Sequence, residues 1–403
     1  MQQNLRLIPY HQALAHSFLW IPVFVLFTRS HLDLDQAILV MSVYYFFVIG
    51  VEVPSGWMSD KVGRVFTLRV AAAAGVSAHT CFLLSGGSLA WILVGQFFMA
   101  TSFASLSGTD VSFHYDTLEA LDIADEFQKR ESRVASRGLI ATTFAMLSGG
   151  ALGLIDLRLA FAASLIISAM QFAVTLRLAE PPPLSVDPLD VSHMRACFAY
   201  LRNGPLAWIF LYGAAMVTLV HVSFTLFQPW LTEVTGQSAD DLGNTPIVAG
   251  SFMAGASLVG AYTAHRSADM GRRFGPVNVL IAMGVLSAGI VTSMAASTHI
   301  AIVLVVCLRS VQMVTSKILI TAVAAPRLRR DHRATFFSLN SLAGRGSYGI
   351  VLLFVANGAN DNLTGALTQL SIVAWVTVAI IAITALPLRA PELNRQTEVT
   401  TPS

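Results

Sequence analysis

Two arginines and a histidine set within long apolar runs are the residues with the most chemistry to offer. Arg309 lies near the middle of one run, and Gln312 and Ser316 follow at i+3 and i+7. On a helix those three share a face. Arg345 lies near the middle of the next run, with Ser338, Ser341 and Tyr348 at compatible spacing. Thr218, His221, Thr225 and Gln228 form a third polar stripe, and Gln12 with His16 a shorter one. No Asp or Glu lies at comparable depth. Arginine stays protonated and grips carboxylate or phosphate through a planar fork. The chemistry on offer is therefore anion binding, and Arg309, Gln312, Arg345, His221, Gln96 and His16 are candidate substrate contacts. Each has a plainer alternative: structural pairing for the arginines, and a neutral hydrogen-bonded role for His11, His16, His79 and His221. Lys317, nearer a run's end, is placed to snorkel toward the interface.

Other chemistries find no support in the sequence. Paired carboxylates, metal-ligand spacing and a nucleophile motif are all missing, which argues against an enzyme. Cys81, Cys197 and Cys307 lie far apart and imply neither a disulfide framework nor a metal site. A net charge of +2 is too small to suggest a nucleic-acid partner. No cofactor is expected. With no nucleotide-binding Gly-rich loop, any transport must be secondary or facilitative. His221, Glu52 and Asp110 are the titratable groups available for proton coupling, and His221 titrates nearest neutral pH.

These residues need elements to hold them, and the hydropathy pattern supplies helices. The 403-residue chain is 55% hydrophobic and 12% charged, about half the charged fraction usual for a soluble protein. Apolar runs fall at about 7–28, 36–58, 66–85, 88–111, 134–155 and 159–178. They resume at about 205–230, 245–265, 276–296, 299–322, 334–357 and 364–386. Each is close to the ~20 residues that cross a bilayer as a helix. Continuous runs without strand-like alternation exclude a barrel, so the fold class is all-α, with 12 transmembrane helices in two sets of six. Ala13-Leu14-Ala15 sits inside the first run, so that run reads as a retained helix and not a cleaved leader.

Charge placement orients the spans. With the N-terminus inside, 20 of the 25 Lys and Arg fall on cytoplasmic segments, including Lys61, Arg64, Arg137, Arg273 and Arg330. The positive-inside rule then puts both termini in the cytoplasm. The expected organisation is an N-terminal bundle at 1–178, a cytoplasmic linker at 179–203, a C-terminal bundle at 204–387 and a disordered tail at 388–403.

One nonapeptide is specific. Residues 56–64 read G-W-M-S-D-K-V-G-R directly after the second run. This resembles the loop between the second and third helices of the major facilitator superfamily of secondary transporters. The resemblance carries onto Gly56, Asp60, Gly63 and Arg64. It implies a charge network at a cytoplasmic gate, with Asp60 facing the start of the eleventh helix and Arg64 paired to an acid at the end of the fourth. Asp110 and Asp116, in G-T-D-V-S-F-H-Y-D (108–116), are the available acids. S-A-D-M-G-R-R (267–273) resembles a degraded repeat of the same loop, keeping Asp269 and Arg272. E-V-P-S-G (52–56) and R-A-T-F-F-S-L (333–339) are similar to a broad group of bacterial facilitators with drug-efflux-like members.

The departures from that family matter too. Its proton-coupled antiporters carry an Arg in the fourth helix where this chain has Gln96, and a Gly-Pro pair in the fifth where this chain reads S-G-G-A-L-G (148–153). Under the six-plus-six repeat, Arg309 in the tenth helix is the counterpart of the missing arginine.

The combined expectation is a monomeric, multi-pass inner-membrane transporter working by alternating access. It moves a small organic solute, anionic or zwitterionic, with protons as coupling ion and export ahead of import. The rival within transport is uptake or exchange of an anionic metabolite or metal chelate. The rival from another class is a non-transporting receptor on the same fold, which an intact gate loop speaks against.

Overall fold

Long helices follow from the apolar runs because a chain surrounded by lipid must satisfy its backbone amides internally. The computed structural model describes residues 1–182, 198–236, 243–328, 333–359 and 362–385. Among the described residues there are helices and short 3-10 turns but no strands. The expected disordered tail, most of the linker and Cys197 lie outside the described residues.

The helices run α1 (Gln2–Ala15), α2 (Phe24–Arg29), α3 (Leu34–Lys61), α4 (Arg64–Leu84), α5 (Leu89–Leu106), α6 (Thr109–Glu119), α7 (Phe127–Gly153) and α8 (Leu157–Thr175). After the linker come α9 (Gly204–Thr225), α10 (Phe227–Val234), α11 (Thr245–Phe274), α12 (Pro276–Ala296), α13 (Ile302–Cys307), α14 (Arg309–Ala324), α15 (Arg333–Ala359) and α16 (Leu363–Ala385). Nine helices or helix pairs among the described residues are long and apolar enough to cross a membrane.

Several expected spans are interrupted. The first run is two helices, α1 and α2, joined through turns and a 3-10 segment that contains Pro22. Proline lacks the N–H that a continuing helix would use. The fourth run stops at Ser107 and restarts after Gly108, whose φ of +78° is left-handed. The seventh run breaks at Leu226, three residues before Pro229, which has no N–H to bond the Thr225 carbonyl; the tenth breaks at Leu308, where neither glycine nor proline marks the place. The second of these puts Arg309 at the first position of α14.

By contact, the chain forms two compact units. The first takes in Met1–Leu189, Phe227–Ser257 and Leu352–Asp361. One part of its core is aromatic: Phe24, Phe27, Phe82 and Phe161 form a chain of edge and tilted ring contacts at 4.7–6.2 Å. Another part is glycine-dependent. A Cβ on Gly149 would fall 1.9 Å from the Leu19 carbonyl oxygen, and one on Gly150 would fall 2.6 Å from that of Pro246. A Cβ on Gly250 would sit 2.5 Å from the Met146 carbonyl. The S-G-G-A-L-G segment thus brings the backbones of α7 and α11 into direct contact, as small residues do wherever helices pack within lipid.

The second unit takes in Asp190–Leu226, Leu258–Val351 and Asn362–Ser403. Its core packs Leu206, Ile209, Tyr212 and Met216 of α9 against Leu280 and Met283 of α12, Leu319 and Val323 of α14, and Val378 and Ile381 of α16. Both units expose large apolar side chains, Ile155, Leu258, Leu304 and Phe354 among them. Both also bury polar ones, such as Asn4, Gln96, Thr263 and Gln312. That inversion of the usual soluble pattern suits a lipid surround.

Candidate functional site

The 56–64 segment ends α3 and starts α4. Gly63 carries φ +136°, a conformation few L side chains adopt. The Arg64 guanidinium lies over the turn. Its Nη1 donates to Asp60 Oδ1 at 2.6 Å and to Ser59 Oγ at 2.8 Å, and its Nε donates to Asp116 Oδ2 at 3.0 Å. Of the two acids available at the end of the fourth run, Asp116 is the partner. Asp110 instead accepts from Gln12 Nε2 at 2.7 Å. The start of the eleventh run, which Asp60 is expected to face, directly follows residues 329–332, which lie outside those described. In the degraded repeat, Asp269 and Arg272 form an exposed ion pair one turn apart on α11.

Glu180 completes this corner and had no signal in the sequence. Its Oε1 accepts from the backbone N–H of Arg64 at 2.6 Å and its Oε2 from that of Val65 at 2.8 Å. A carboxylate there fills the orphan donors and opposes the positive end of the α4 dipole. Fully buried Asn4 holds the neighbouring peptide: its Nδ2 donates to the Ala179 carbonyl at 2.8 Å and its Oδ1 accepts from the Ala179 N–H at 3.0 Å.

Elsewhere in the first unit, His16 follows the end of α1 with its Nδ1 2.9 Å from the Gln12 carbonyl oxygen. Gln96 is buried within α5. Glu52 is half-buried on α3. Arg309 and Arg345 belong to the second unit. Gln228 also departs from its expected stripe. The break at Leu226 carries it onto α10, where its Oε1 accepts from Val25 N–H (3.1 Å) and Leu26 N–H (3.3 Å) and its Nε2 donates to the Ile21 carbonyl (2.8 Å).

The second unit gathers the remaining candidates on α9, α14 and α15. His221 is half-buried on α9, its ring tilted against Tyr348 at 5.3 Å, with Tyr348 Oη donating to the His221 carbonyl at 3.0 Å. Both Arg309 and Arg345 lie within Coulomb range of the imidazole. The Arg309 guanidinium stands over the Phe224 ring, 4.6 Å from its centroid, a cation–π contact. Beside this cluster opens a cavity of about 330 Å³. His221, Gln312, Ser316, Lys317, Asn340 and Ser341 supply its polar wall, and Met216, Val217, Val220, Met313, Ile320 and Phe337 the apolar one. Among the described residues, that wall carries no acid. Met313, Lys317 and Thr321, spaced four apart on α14, form one exposed face on it. Lys317 therefore borders the cavity that Gln312 and Ser316 line. No group of three or more His, Cys, Asp or Glu that could hold a metal occurs among the described residues.

Comparison with known proteins gives the family and the fold. The sequence model of the Major Facilitator Superfamily matches residues 12–352. The chain belongs to the Major Facilitator Superfamily. It is thus a multi-pass membrane protein of a transporter family. No curated protein matches it in sequence. Among solved structures, it superposes on a variant of the nucleoside transporter NupG with a TM-score of 0.80 at 12% identity, covering 94% of this chain and 100% of that one. It superposes on an autoinhibited peptide transporter of the POT family with a TM-score of 0.73 at 13% identity, covering 100% and 99%. A bacterial homologue of the human lysosomal transporter Spinster gives 0.64 at 17% identity, covering 95% and 94%. At such identities the likeness speaks for the fold alone.

Proposed function

We propose that this Major Facilitator Superfamily member moves a small organic solute bearing a negative charge, as an anion or a zwitterion. Positive charge carries the reading: Arg309 and Arg345 lie within Coulomb range of His221, which lines a cavity whose wall includes Lys317 and, among the described residues, no acid. Positive charge beside a low-dielectric cavity favours an anion there more strongly than the same charge in water would. A guanidinium is suited to that task because it cannot shed its proton. The cavity volume falls in the range typical of small-molecule sites.

The wider reading is a monomeric transporter of twelve helices in the inner membrane. Its bundles at 1–178 and 204–387 alternate in access, and both termini are cytoplasmic. The Arg64–Asp60–Asp116 network, tied down by Glu180, is the cytoplasmic gate, with Gly56, Asp269 and Arg272 in the corresponding loops. Protons are the coupling ion, with His221 the first carrier to test ahead of Glu52 and Asp110. Export remains the preferred direction, on the similarity of segments 52–56 and 333–339 to facilitators with efflux members. The rival reading is uptake or exchange of an anionic metabolite or metal chelate; a POT family transporter of similar fold was solved in complex with 5-aminolevulinic acid.

Reconstituted proteoliposomes test the charge requirement directly. Uptake of labelled carboxylates and amino acids is expected to fall at least about ten-fold in Arg309→Ala, the loss of one charge-assisted hydrogen bond, while the helical spectrum is unchanged. Undiminished uptake would sink the anion reading.

A further inference from the structure

The amide of Gln312 has a defined orientation, and a chain of hydroxyl groups imposes it. Tyr212 Oη stands 2.9 Å from the Leu280 carbonyl oxygen and 2.8 Å from Ser316 Oγ. A carbonyl can only accept, so the single Tyr212 proton goes to Leu280. Toward Ser316 the phenol oxygen is then an acceptor, and the Ser316 proton is spent on it. Ser316 Oγ is left to accept, and it does so from Gln312 Nε2 at 3.4 Å. The remaining atom, Gln312 Oε1, must therefore be a carbonyl oxygen and not an amine. It is buried, finds no partner among the described residues, and belongs to a side chain that lines the cavity and is only 1% exposed. An acceptor left without a donor in such a place costs stability until something supplies one.

The rest of the wall narrows the ligand further. Lys317 provides for one negative group, while Met216, Val220, Ile320 and Phe337 offer a mostly apolar surface to the body of the molecule. A polyanion would lose its hydration against that surface and recover little. Building on the anion reading above, the geometry points to a narrower class: a lipophilic monoanion that also carries an N–H or O–H donor for Gln312 Oε1. Gln312 is thus the specificity residue. Charge selects the acid, the apolar wall rejects highly hydrated anions, and the amide carbonyl distinguishes donor-bearing acids from those without.

Titration calorimetry on the purified full-length protein with four defined probes tests this. N-(phenylacetyl)glycine has all three features, its N-methyl analogue lacks the donor, its methyl ester lacks the charge, and citrate lacks the apolar body. The N-methyl analogue is expected to bind about ten-fold more weakly than the parent, as a missing hydrogen bond to a buried acceptor implies. In Gln312→Leu the parent should drop to the level of the N-methyl analogue, whose own affinity should hardly change. A merely structural role would weaken both ligands alike. The comparison of parent and analogue on the unaltered protein stands even if the variant fails to fold. Equal binding of parent and analogue, or tighter binding of citrate, overturns the inference and leaves the anion reading standing. Equal binding of acid and ester overturns the anion reading itself. Failure of all three carboxylates at millimolar concentration overturns both.

Discussion

Glu180 seats its carboxylate where a Cβ on Gly63 would stand: the built atom falls 2.9 Å from Glu180 Cδ. One glycine therefore serves two ends at once, the positive φ of the turn and the space for an anion on the first amides of α4. Replacing Gly63 with Ala should cost about 1–3 kcal/mol from backbone strain alone, with displacement of Glu180 in addition. A drop in melting temperature larger than that of Gly56→Ala, whose Cβ would meet nothing within 4 Å, is the expected result.

Glu180 itself should behave as a helix cap supplied from 116 residues away. Glu180→Ala removes both acceptors and should destabilise by about 1 kcal/mol, within the range for capping groups. Glu180→Gln keeps one acceptor and should lie between. Thermal melts of the three proteins in one detergent would order them, and equal melts would contradict the cap.

Arg64 and Asp116 should be thermodynamically coupled. The pair is mostly shielded, with side chains 19% and 11% exposed, so solvent screens it less than a surface bridge. A double-mutant cycle with Arg64→Gln and Asp116→Asn should give a coupling of about 0.5–3 kcal/mol. The same cycle with Asp110→Asn should give a value near zero, because Asp110 bonds Gln12 instead.

Gln228 holds two backbone donors and one backbone acceptor at the α2 corner. Gln228→Leu strands all three, and an unsatisfied buried group costs about 1–3 kcal/mol. A stability loss larger than that of Thr225→Val, which leaves no backbone group exposed by truncation, is the expected measurement.

Proton coupling through His221 predicts a pH-dependent rate. Imposed proton gradients should drive uptake in proteoliposomes, and His221→Gln should abolish the dependence of rate on the gradient. A dependence unchanged by this substitution would move the search to Glu52 and Asp110.

Much of this architecture could be read in the sequence because lipid imposes simple rules. Apolar length gave the helices, and the residues at 56–64 pointed to Arg64, Asp60 and an acid near 110–116. What hydropathy averages over was lost. The break at Leu308 has neither proline nor glycine to announce it, and Pro229, three residues after Leu226, was passed over inside an apolar window of ~20 residues. The break at Leu226 then moved Gln228 off the stripe on which helical spacing had put it. Glu180 and Asn4 were silent for another reason: they bind backbone groups, and a backbone partner leaves no residue type to recognise. The choice between Asp110 and Asp116 needed coordinates, since both lie within one short stretch of charge. Arg309, Arg345 and His221 could be singled out individually, but only the packing of α9, α14 and α15 brings them to one place.

The hydroxyl chain from Leu280 through Tyr212 and Ser316 has a sense, and a sense can be reversed. If Tyr212 were Phe, Ser316 would be free to turn its proton toward Gln312, the amide could rotate, and the cavity would face its ligand with an amine where it had shown a carbonyl. The taste of the pocket, for donors or for acceptors, is thus written at a residue that no cargo touches. Variants with altered selectivity are to be sought behind the pocket as much as on its wall.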